Sequence, residues 1–266
     1  MDYEQRRDII EANVREHDIE AEYYDLLHKE IFNEYEQDRI RLSLEKIIGG
    51  NIKRPTILDV GSGTGNLVSN LLTILDGSVR PEIVAVDLSG QMQDVMKRKI
   101  NYPVRYYLKD IDSFLEINRK SFDVVLISSV LHHLPDYEKT LGNIIKCLNV
   151  GGTIYITHEP LNPKYMERRS MNSILDVLDY SIYTVYYVGL LLRKKIKRVK
   201  INYRVCDYHV GSRGIDPIGI KKALDRKYPV HIEFSLYPTS YFLAGLKDRL
   251  DINNSFEMII KKITPT

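Results

Sequence analysis

Short apolar runs alternate with amphipathic segments between residues 56 and 157. Five runs predict β-strands, at 56–60, 83–86, 104–108, 122–128 and 153–157. The strands are continuous apolar runs, which is typical of a parallel sheet covered on both faces. Parallel neighbours need a long crossover, and the segments between the runs have the apolar spacing of helices. The chain therefore predicts a doubly wound, mostly parallel α/β sheet.

The flanks of this alternation predict helices before it and two more strands after it. Residues 1–50 contain no proline and predict two or three helices. Residues 160–215 are too long for a loop and predict a helical insertion after the fifth strand, with one or two helices between 174 and 192. Residues 230–236 and 256–263 predict a pair of antiparallel strands at the sheet edge.

A glycine-rich turn follows the first predicted strand. The segment ILDVGSGTGNLV spans residues 57–68 and places Asp59 just before Gly61, Gly63 and Gly65. Glycine is needed where a chain turns sharply and where backbone approaches a ligand closely. Ligands of open α/β sheets bind outside the carboxyl ends of the strands, so this turn predicts a ligand site.

Two further carboxylates follow the next two strands. Asp87 ends the second strand, 22 residues after Gly65, where it can accept hydrogen bonds from both hydroxyls of a ribose. Asp110 follows the third strand, where a carboxylate or backbone group could reach the edge of an adenine. Three successive strand ends thus present the groups that an adenosine ligand needs.

Two adenosine ligands compete for this pattern. A glycine loop with an acid at the next strand end also serves NAD, whose loops prefer G-x-G-x-x-G and hold a pyrophosphate at the helix start. Here the loop reads G-S-G-T-G and follows Asp59, which would repel a pyrophosphate and favour a ligand with an ammonium group. The pattern favours S-adenosylmethionine over a dinucleotide.

Residues 56–157 resemble the core of the class I S-adenosylmethionine-dependent methyltransferases, especially the small-molecule branch that includes the quinone-biosynthesis methyltransferases. The resemblance lies in LDVGSGTG, AVDLS, KDID, FDVVLISSVLHHLPD and LNVGGTIYITHEP, in that order. It implies a Rossmann-like, seven-stranded sheet whose last strand is antiparallel. It also implies S-adenosylmethionine as methyl donor and S-adenosylhomocysteine as product. The segment SSVLHHL stands where DNA-methylating enzymes carry N/D-P-P-Y/F, so DNA is not an expected acceptor.

The resemblance also implies a set of cofactor contacts at the strand ends and in the N-terminal helices. These residues are Asp59, Gly61, Ser62, Gly63, Gly65, Asp87, Leu88, Asp110, Ile111, Ser128, Ser129 and Tyr23. The glycine loop would hold the methionine part, the acid of the second strand the ribose, and the residues after the second and third strands the adenine. Asp59 would lie near the amino group and the two serines near the sulfonium. Tyr23 or Tyr24 would close the pocket.

Two adjacent histidines are the candidates for a general base. A base assists transfer when the acceptor is a hydroxyl or an acidic carbon, and His133 and His132 follow the fourth strand near the expected methyl position. The alternative for each is a structural role under the next helix. His158 and Glu159 are interpreted as a hydrogen-bonded loop in preference to a pocket wall. The sequence contains no evident metal-ligand cluster, so we expect metal-independent transfer.

Three parts of the chain follow from these assignments. Residues 1–50 would form a helical lid, and residues 51–159 with 216–266 the cofactor-binding α/β core. Residues 160–215 would form a helical insertion over the acceptor site, whose tyrosines either line an apolar pocket or pack as core. His209 lies in a polar loop that could face the acceptor.

Composition narrows the partners. The net charge of +2 lacks the strong basic excess of a nucleic-acid binder. The charged start predicts no signal peptide, and Cys147 and Cys206 are interpreted as reduced thiols of a cytoplasmic protein. The apolar run 182–192 is shorter than the roughly 20 residues of a spanning helix. The basic run 193–200 is interpreted as a solvated helix end; an anionic lipid surface contacted through 182–200 and an anionic acceptor are the alternatives.

The leading prediction is methyl transfer to a small-molecule or lipid-like acceptor under the lid. A methyltransferase acting on protein or RNA is one alternative, which the near-neutral charge and the helical insertion disfavour. A protein that binds S-adenosylmethionine without catalysis is the other. The intact glycine loop, Asp87 and Asp110 argue against lost cofactor binding and leave turnover open.

Overall fold

The computed structural model describes residues 3–48, 53–167, 169–193, 195–196 and 214–264. In the described residues the α-helices are α1 (Tyr3–Glu20), α2 (Tyr24–Leu27), α3 (Lys29–Phe32), α4 (Glu34–Ile48), α5 (Asn66–Ile74), α6 (Gly90–Lys99), α7 (Ile111–Ile117), α8 (Tyr137–Lys146), α9 (Arg169–Leu192), α10 (Pro217–Asp225) and α11 (Ala244–Arg249). Short 3-10 helices lie at Ala21–Tyr23, Leu131–His133 and Pro163–Tyr165.

The strands form a seven-stranded sheet in the order β3-β2-β1-β4-β5-β7-β6. They are β1 (Thr56–Val60), β2 (Glu82–Asp87), β3 (Val104–Leu108), β4 (Phe122–Ser128), β5 (Leu148–Pro160), β6 (Val230–Tyr237) and β7 (Ser255–Lys262). Strands β1 to β5 pair in parallel, and β7 lies antiparallel between β5 and β6. The predicted fold, with its antiparallel last strand, is confirmed.

Helices cover both faces of this sheet, as the continuous apolar strands predict. One core packs α7, α8 and α10 against the sheet and includes Phe114, Leu141 and Ile220. The other packs α4, α5 and α6 against the opposite face and includes Leu44 and Met96. The sheet is therefore doubly wound, and its strand ends converge on the glycine loop.

Helix α4 belongs to the core, although the sequence assigned residues 1–50 to a lid. Ile40 and Leu44 are fully buried against the sheet. The guanidinium of Arg39 donates to Glu257 Oε2 at 2.6 Å and to Thr157 Oγ1 at 2.8 Å, and it lies 3.4 Å from the ring centroid of Tyr237. Only the segments before α4 are placed to cover the strand ends.

In the described part of the insertion, α9 is a long helix of 24 residues. Within the described chain, Ser170–Leu192 is long and apolar enough to cross a membrane, by length and composition alone, with 17% of its most apolar window buried. The apolar run 182–192 that the sequence analysis considered is the C-terminal part of this helix, which begins at Arg169. His209, Cys206 and most of the basic run 193–200 lie outside the described residues.

Candidate active site

The glycine loop turns between the ends of β1 and β2. Gly61 has a φ of +60°, and a Cβ there would lie 2.4 Å from Val130 Cγ2. Gly65 has a φ of +85°, and a Cβ there would lie 2.7 Å from Met96 Cγ. Both positions therefore require glycine, for backbone conformation and for space. The loop is held by Ser62 N–H, which donates to the carbonyl of Val86 at 3.1 Å.

Asp87 binds this loop from the end of β2. Its Oδ2 accepts from the N–H of Gly63 at 2.7 Å and its Oδ1 accepts from the N–H of Ser89 at 2.8 Å. Burial raises the pKa of Asp87, and these two backbone hydrogen bonds partly offset the rise. Each carboxylate oxygen keeps a second lone pair, so the side chain can also accept hydrogen bonds from ligand hydroxyls.

A cavity of about 520 Å³ lies at the carboxyl ends of β1, β2, β3 and β4. Ten of the residues singled out from the sequence line it: Tyr24, Gly61, Gly63, Asp87, Leu88, Asp110, Ile111, Ser128, Ser129 and His133. The cavity is covered from the N-terminal side by α1, through Ile10, Val14 and His17, and by Tyr24. These strand-end residues thus share one cavity, and its cover comes from the N-terminal segment for which the sequence predicts a lid.

A smaller cavity of about 40 Å³ lies beneath the glycine loop and includes Asp59 and Ser62 in its lining. Five residues line both cavities: Tyr24, Gly61, Gly63, Ser128 and Ser129. The two spaces therefore meet at the ends of β1 and β4. Gly65 lines neither cavity and instead packs against α6.

Polar atoms without partners surround the smaller cavity. Asp59 Oδ2, Ser62 Oγ and Asn66 Nδ2 are buried and have no hydrogen-bond partner in the protein. Burial and the charge of Asp87 raise the pKa of Asp59 well above its usual range. Buried polar atoms normally find partners, so this cluster is suited to a ligand that carries both a donor and an acceptor, as an amino acid does.

Asp110 has a structural role as well as a place in the cavity wall. Its Oδ1 accepts from the N–H of Ser113 at 3.1 Å and so caps the start of α7. The sequence predicted only a contact with a ligand at this position.

The two adjacent histidines differ in position. His132 is buried, and its Nδ1 lies 2.9 Å from Glu159 Oε2. Glu159 also accepts from the N–H groups of Val130 and Leu131, at 2.7 and 2.8 Å. Glu159 therefore fixes the turn after β4 and holds His132, which lines neither cavity; this position favours the structural alternative for His132. His133 lines the larger cavity, with its ring centroid 5.4 Å from that of His17.

The tyrosine of the N-terminal segment that lines the site is Tyr24, whereas Tyr23 was predicted as a cofactor contact. Tyr24 lines both cavities and Tyr23 lines neither. The 3-10 turn Ala21–Tyr23 sets the direction of each side chain, and helical periodicity alone does not give it. His28 lines neither cavity and contacts Glu30 at 2.8 Å and Glu20 at 3.2 Å. Burial opposes protonation there, but Glu30 and Glu20 outweigh it and raise the pKa of His28 to about 10.

A buried polar chain that the sequence did not reveal ends at the junction of the cavities. Ser128 Oγ lies 3.2 Å from His158 Nδ1, and His158 Nε2 lies 2.9 Å from Glu36 Oε2. His158 has a φ of +55°, which non-glycine residues seldom adopt, so the surrounding contacts hold it in place. Glu36 lies 122 residues away in sequence, and no local pattern connects the two. In the described residues, no group of three or more His, Cys, Asp or Glu side chains is arranged to hold a metal ion.

Comparisons with known proteins agree with this geometry. Residues 58–156 match the family described as "Methyltransferase domain". The chain is 32% identical over 111 residues to the demethylmenaquinone methyltransferase of Thermus thermophilus, covering 41% of this chain and 49% of the relative. It is 26% identical over 165 residues to the ubiquinone/menaquinone biosynthesis C-methyltransferase UbiE of Wigglesworthia glossinidia brevipalpis, covering 60% of each. The chain thus spans about half the length of the curated relatives it matches.

A solved structure shows the same fold over nearly the whole chain. The plantazolicin methyltransferase BpumL in complex with S-adenosylhomocysteine superposes with a TM-score of 0.51 at 17% identity, covering 99% of this chain and 91% of that chain. That neighbour is a complex with S-adenosylhomocysteine, the product that the sequence predicts for this site. The family match identifies residues 58–156 as a methyltransferase domain, and the sheet order is that of the class I methyltransferase fold.

Proposed function

We propose that the chain transfers a methyl group from S-adenosylmethionine to a small-molecule acceptor with an apolar body. The observation that carries this proposal is the meeting of the two cavities at Tyr24, Gly61, Gly63, Ser128 and Ser129. A ligand with a nucleoside at one end and an amino acid at the other would pass through this junction. Its sulfonium would then lie between the two ends of the site.

The larger cavity suits the adenosine half of such a ligand. Asp87 would accept hydrogen bonds from the ribose, since it lines the cavity and keeps acceptor capacity. Leu88 and Ile111 supply apolar surface for adenine, and the backbone at Asp110 would meet its amino edge. These roles agree with those implied by the family resemblance.

The smaller cavity suits the methionine half. Asp59 Oδ2 would accept from the ammonium group, while Ser62 Oγ and Asn66 Nδ2 could donate to the carboxylate. A positive group beside Asp59 would favour its ionised form and oppose the rise in its pKa. S-adenosylmethionine would supply a methyl group on a cationic sulfur, which is a good leaving group. The protein's main task is then to hold donor and acceptor in line.

The remaining part of the larger cavity is the place for an acceptor. Ile10, Val14 and Leu134 give it apolar walls, and His17 and His133 add polar edges. The names of the two curated relatives point to quinone precursors, which combine an apolar body with acidic hydroxyl or carbon positions. A small aromatic or lipid-like acceptor is the chemistry that these walls favour.

A protein or RNA acceptor is the alternative, and the cover of α1 over the cavity disfavours it. The other alternative is a protein that binds S-adenosylmethionine without catalysis. The apolar part of the larger cavity that the cofactor would leave free disfavours it. Metal-independent transfer, a cytoplasmic location and membrane contact through residues 182–200 stay predictions.

The proposal is tested by transfer of a radiolabelled methyl group from S-adenosylmethionine to three groups of acceptors. These are apolar quinols and phenols, small polar amines and carboxylates, and bulk protein and RNA. We expect label in the apolar group, and an Asp87→Ala control that transfers at least about a hundredfold more slowly because ribose binding is lost. Label confined to protein or RNA would contradict the small-molecule proposal, and no label in any group would favour a protein that binds without catalysis.

Asp59→Asn is expected to stabilise the ligand-free protein and to weaken its affinity for S-adenosylhomocysteine. Folding raises the pKa of Asp59, so the wild type loses stability as the pH rises from the ordinary carboxyl pKa through the raised one, and the asparagine variant does not. The variant also lacks the charge for the ammonium group, so binding should weaken at least about tenfold. Urea unfolding across pH and calorimetric titration measure both effects.

The matched control is Asp76→Asn, because Asp76 is exposed and its pKa is lowered by Ser78. This control should leave ligand affinity unchanged, and its stability relative to the wild type should move in the opposite direction with pH. Equal ligand affinity of Asp59→Asn and wild type would contradict the role given to Asp59.

We expect His133→Ala to impair methyl transfer and His132→Ala to impair stability. His133→Ala should slow transfer at least about a hundredfold and leave stability nearly unchanged, because His133 lines the cavity. His132→Ala should lower the free energy of unfolding by about 2 kcal/mol, since Glu159 loses a buried hydrogen-bond partner. Transfer rate with a fixed acceptor and urea unfolding distinguish the two. Full activity of His133→Ala would remove it as the base.

A further inference from the structure

Helix α9 exposes an apolar stripe along its outer face, interrupted at Ser181, whose hydroxyl donates to the carbonyl of Val177 at 2.7 Å. Ile174 and Val177 are each 69% exposed, Val185 is 74% exposed and Leu192 is 79% exposed. Leu178, Ile182 and Val188 continue the same stripe, because all these positions repeat at the helical period of 3.6 residues. The helix of 24 residues is roughly 36 Å long, and the stripe from Ile174 to Leu192 covers roughly 28 Å of it. Exposed apolar surface of this extent marks an interaction site.

The opposite face of α9 is held to the body of the protein by polar contacts. Asp179 accepts from the N–H groups of Tyr241 and Phe242, each at 2.8 Å. Asp176 forms an ion pair with Lys247, whose side chain is almost fully buried. The ring of Tyr183 stacks on Tyr241 with centroids 4.1 Å apart. The described residues therefore leave the outer stripe uncovered, together with Tyr180, which is 62% exposed, and half of the Asp176 side chain.

These contacts decide between a helix that spans a membrane and one that lies on it. A spanning helix must be apolar on all sides or bury its polar groups against other spanning helices. Asp176 and Asp179 lie on the opposite face and bind the α/β body. These contacts would have to break for α9 to span a membrane. A helix with one apolar and one polar face is instead suited to the plane of the interface.

Charge at the end of α9 indicates which surface it meets. Arg193 and Lys195 follow the stripe and are exposed. The sequence from 193 to 200 reads RKKIKRVK, with six basic residues and no acid. The stripe itself carries no charged residue: Asp179 is buried on the opposite face, and the half-exposed Asp176 is paired there with Lys247. An apolar stripe next to a basic cluster complements an anionic phospholipid surface, which supplies both an acyl boundary and negative head groups.

We propose that α9 docks the protein on an anionic lipid bilayer, with the stripe from Ile174 to Leu192 in the boundary between head groups and acyl chains. The helix also touches the cover of the active site, since Tyr186 Oη donates to the carbonyl of Leu26 at 3.2 Å. Leu26 lies two residues from Tyr24, which lines both cavities. Docking would therefore bring a lipid-like acceptor to the covered side of the site; this consequence rests on the proposed function, and the docking itself does not.

The test is flotation of the full chain with vesicles of phosphatidylcholine alone and of equal parts phosphatidylcholine and phosphatidylglycerol. We expect binding to the anionic vesicles that weakens with salt. The double variant Val177→Glu/Val185→Glu should bind at least about tenfold more weakly, because it places two charges in the apolar boundary. The double variant Leu42→Glu/Val150→Glu is the matched control, since both residues are exposed elsewhere, and it should bind like the wild type. Arg193→Gln/Lys195→Gln should reduce binding to the anionic vesicles by roughly fivefold for each charge removed.

Titration with S-adenosylhomocysteine separates docking from the cofactor site and from folding. Every variant should bind this ligand like the wild type, because none of the altered residues lines a cavity. Absence of vesicle binding by wild-type protein that binds the ligand would overturn the proposal. So would equal vesicle binding by the stripe variant. A concentration-dependent dimer that the stripe variant abolishes, without vesicle binding, would assign the stripe to a second copy of the chain instead.

Discussion

One carboxylate connects the parts of the site. Asp87 accepts from the N–H of Gly63 and from the N–H of Ser89, so it fixes the glycine loop and the start of α6 together. Two rigid glycine positions, Gly61 and Gly65, make that arrangement sterically possible. Both cavities take their shape from this loop, which means that the ligand geometry depends on a single side chain at the end of β2.

The site contains buried polar groups, and their burial without partners costs free energy. Burial and the neighbouring Asp87 oppose ionisation of Asp59, and Ser62 Oγ has no partner in the protein. Such groups reduce the stability of the ligand-free fold, and a bound amino acid group would relieve the cost. Stability is supplied elsewhere, for example by Arg39, which ties α4 to β5 and β7 through charged hydrogen bonds.

Local features of the sequence predicted the sheet and the cofactor end of the site. Strand ends, turn glycines and Asp87 are recognisable because each depends on its immediate neighbours in the chain. The acceptor end depends on long-range packing instead. The 3-10 turn Ala21–Tyr23 decides that Tyr24, and not Tyr23, faces the cavity. His132 has a structural role because it bonds to Glu159, which is 27 residues away in the sequence. The outer face of α9 also depends on long-range contacts, because Asp176 pairs with Lys247 and Asp179 binds the N–H groups of Tyr241 and Phe242.

Calorimetric titration with S-adenosylhomocysteine and with NAD, on wild type and on Asp87→Asn, tests the central claim most directly. Micromolar binding of S-adenosylhomocysteine is predicted, with affinity lost in the variant because the ribose loses its charged acceptor. NAD should bind far more weakly, because Asp59 disfavours a pyrophosphate beside the loop. Tighter binding of NAD, or binding of S-adenosylhomocysteine that Asp87→Asn leaves unchanged, would contradict the account of this site.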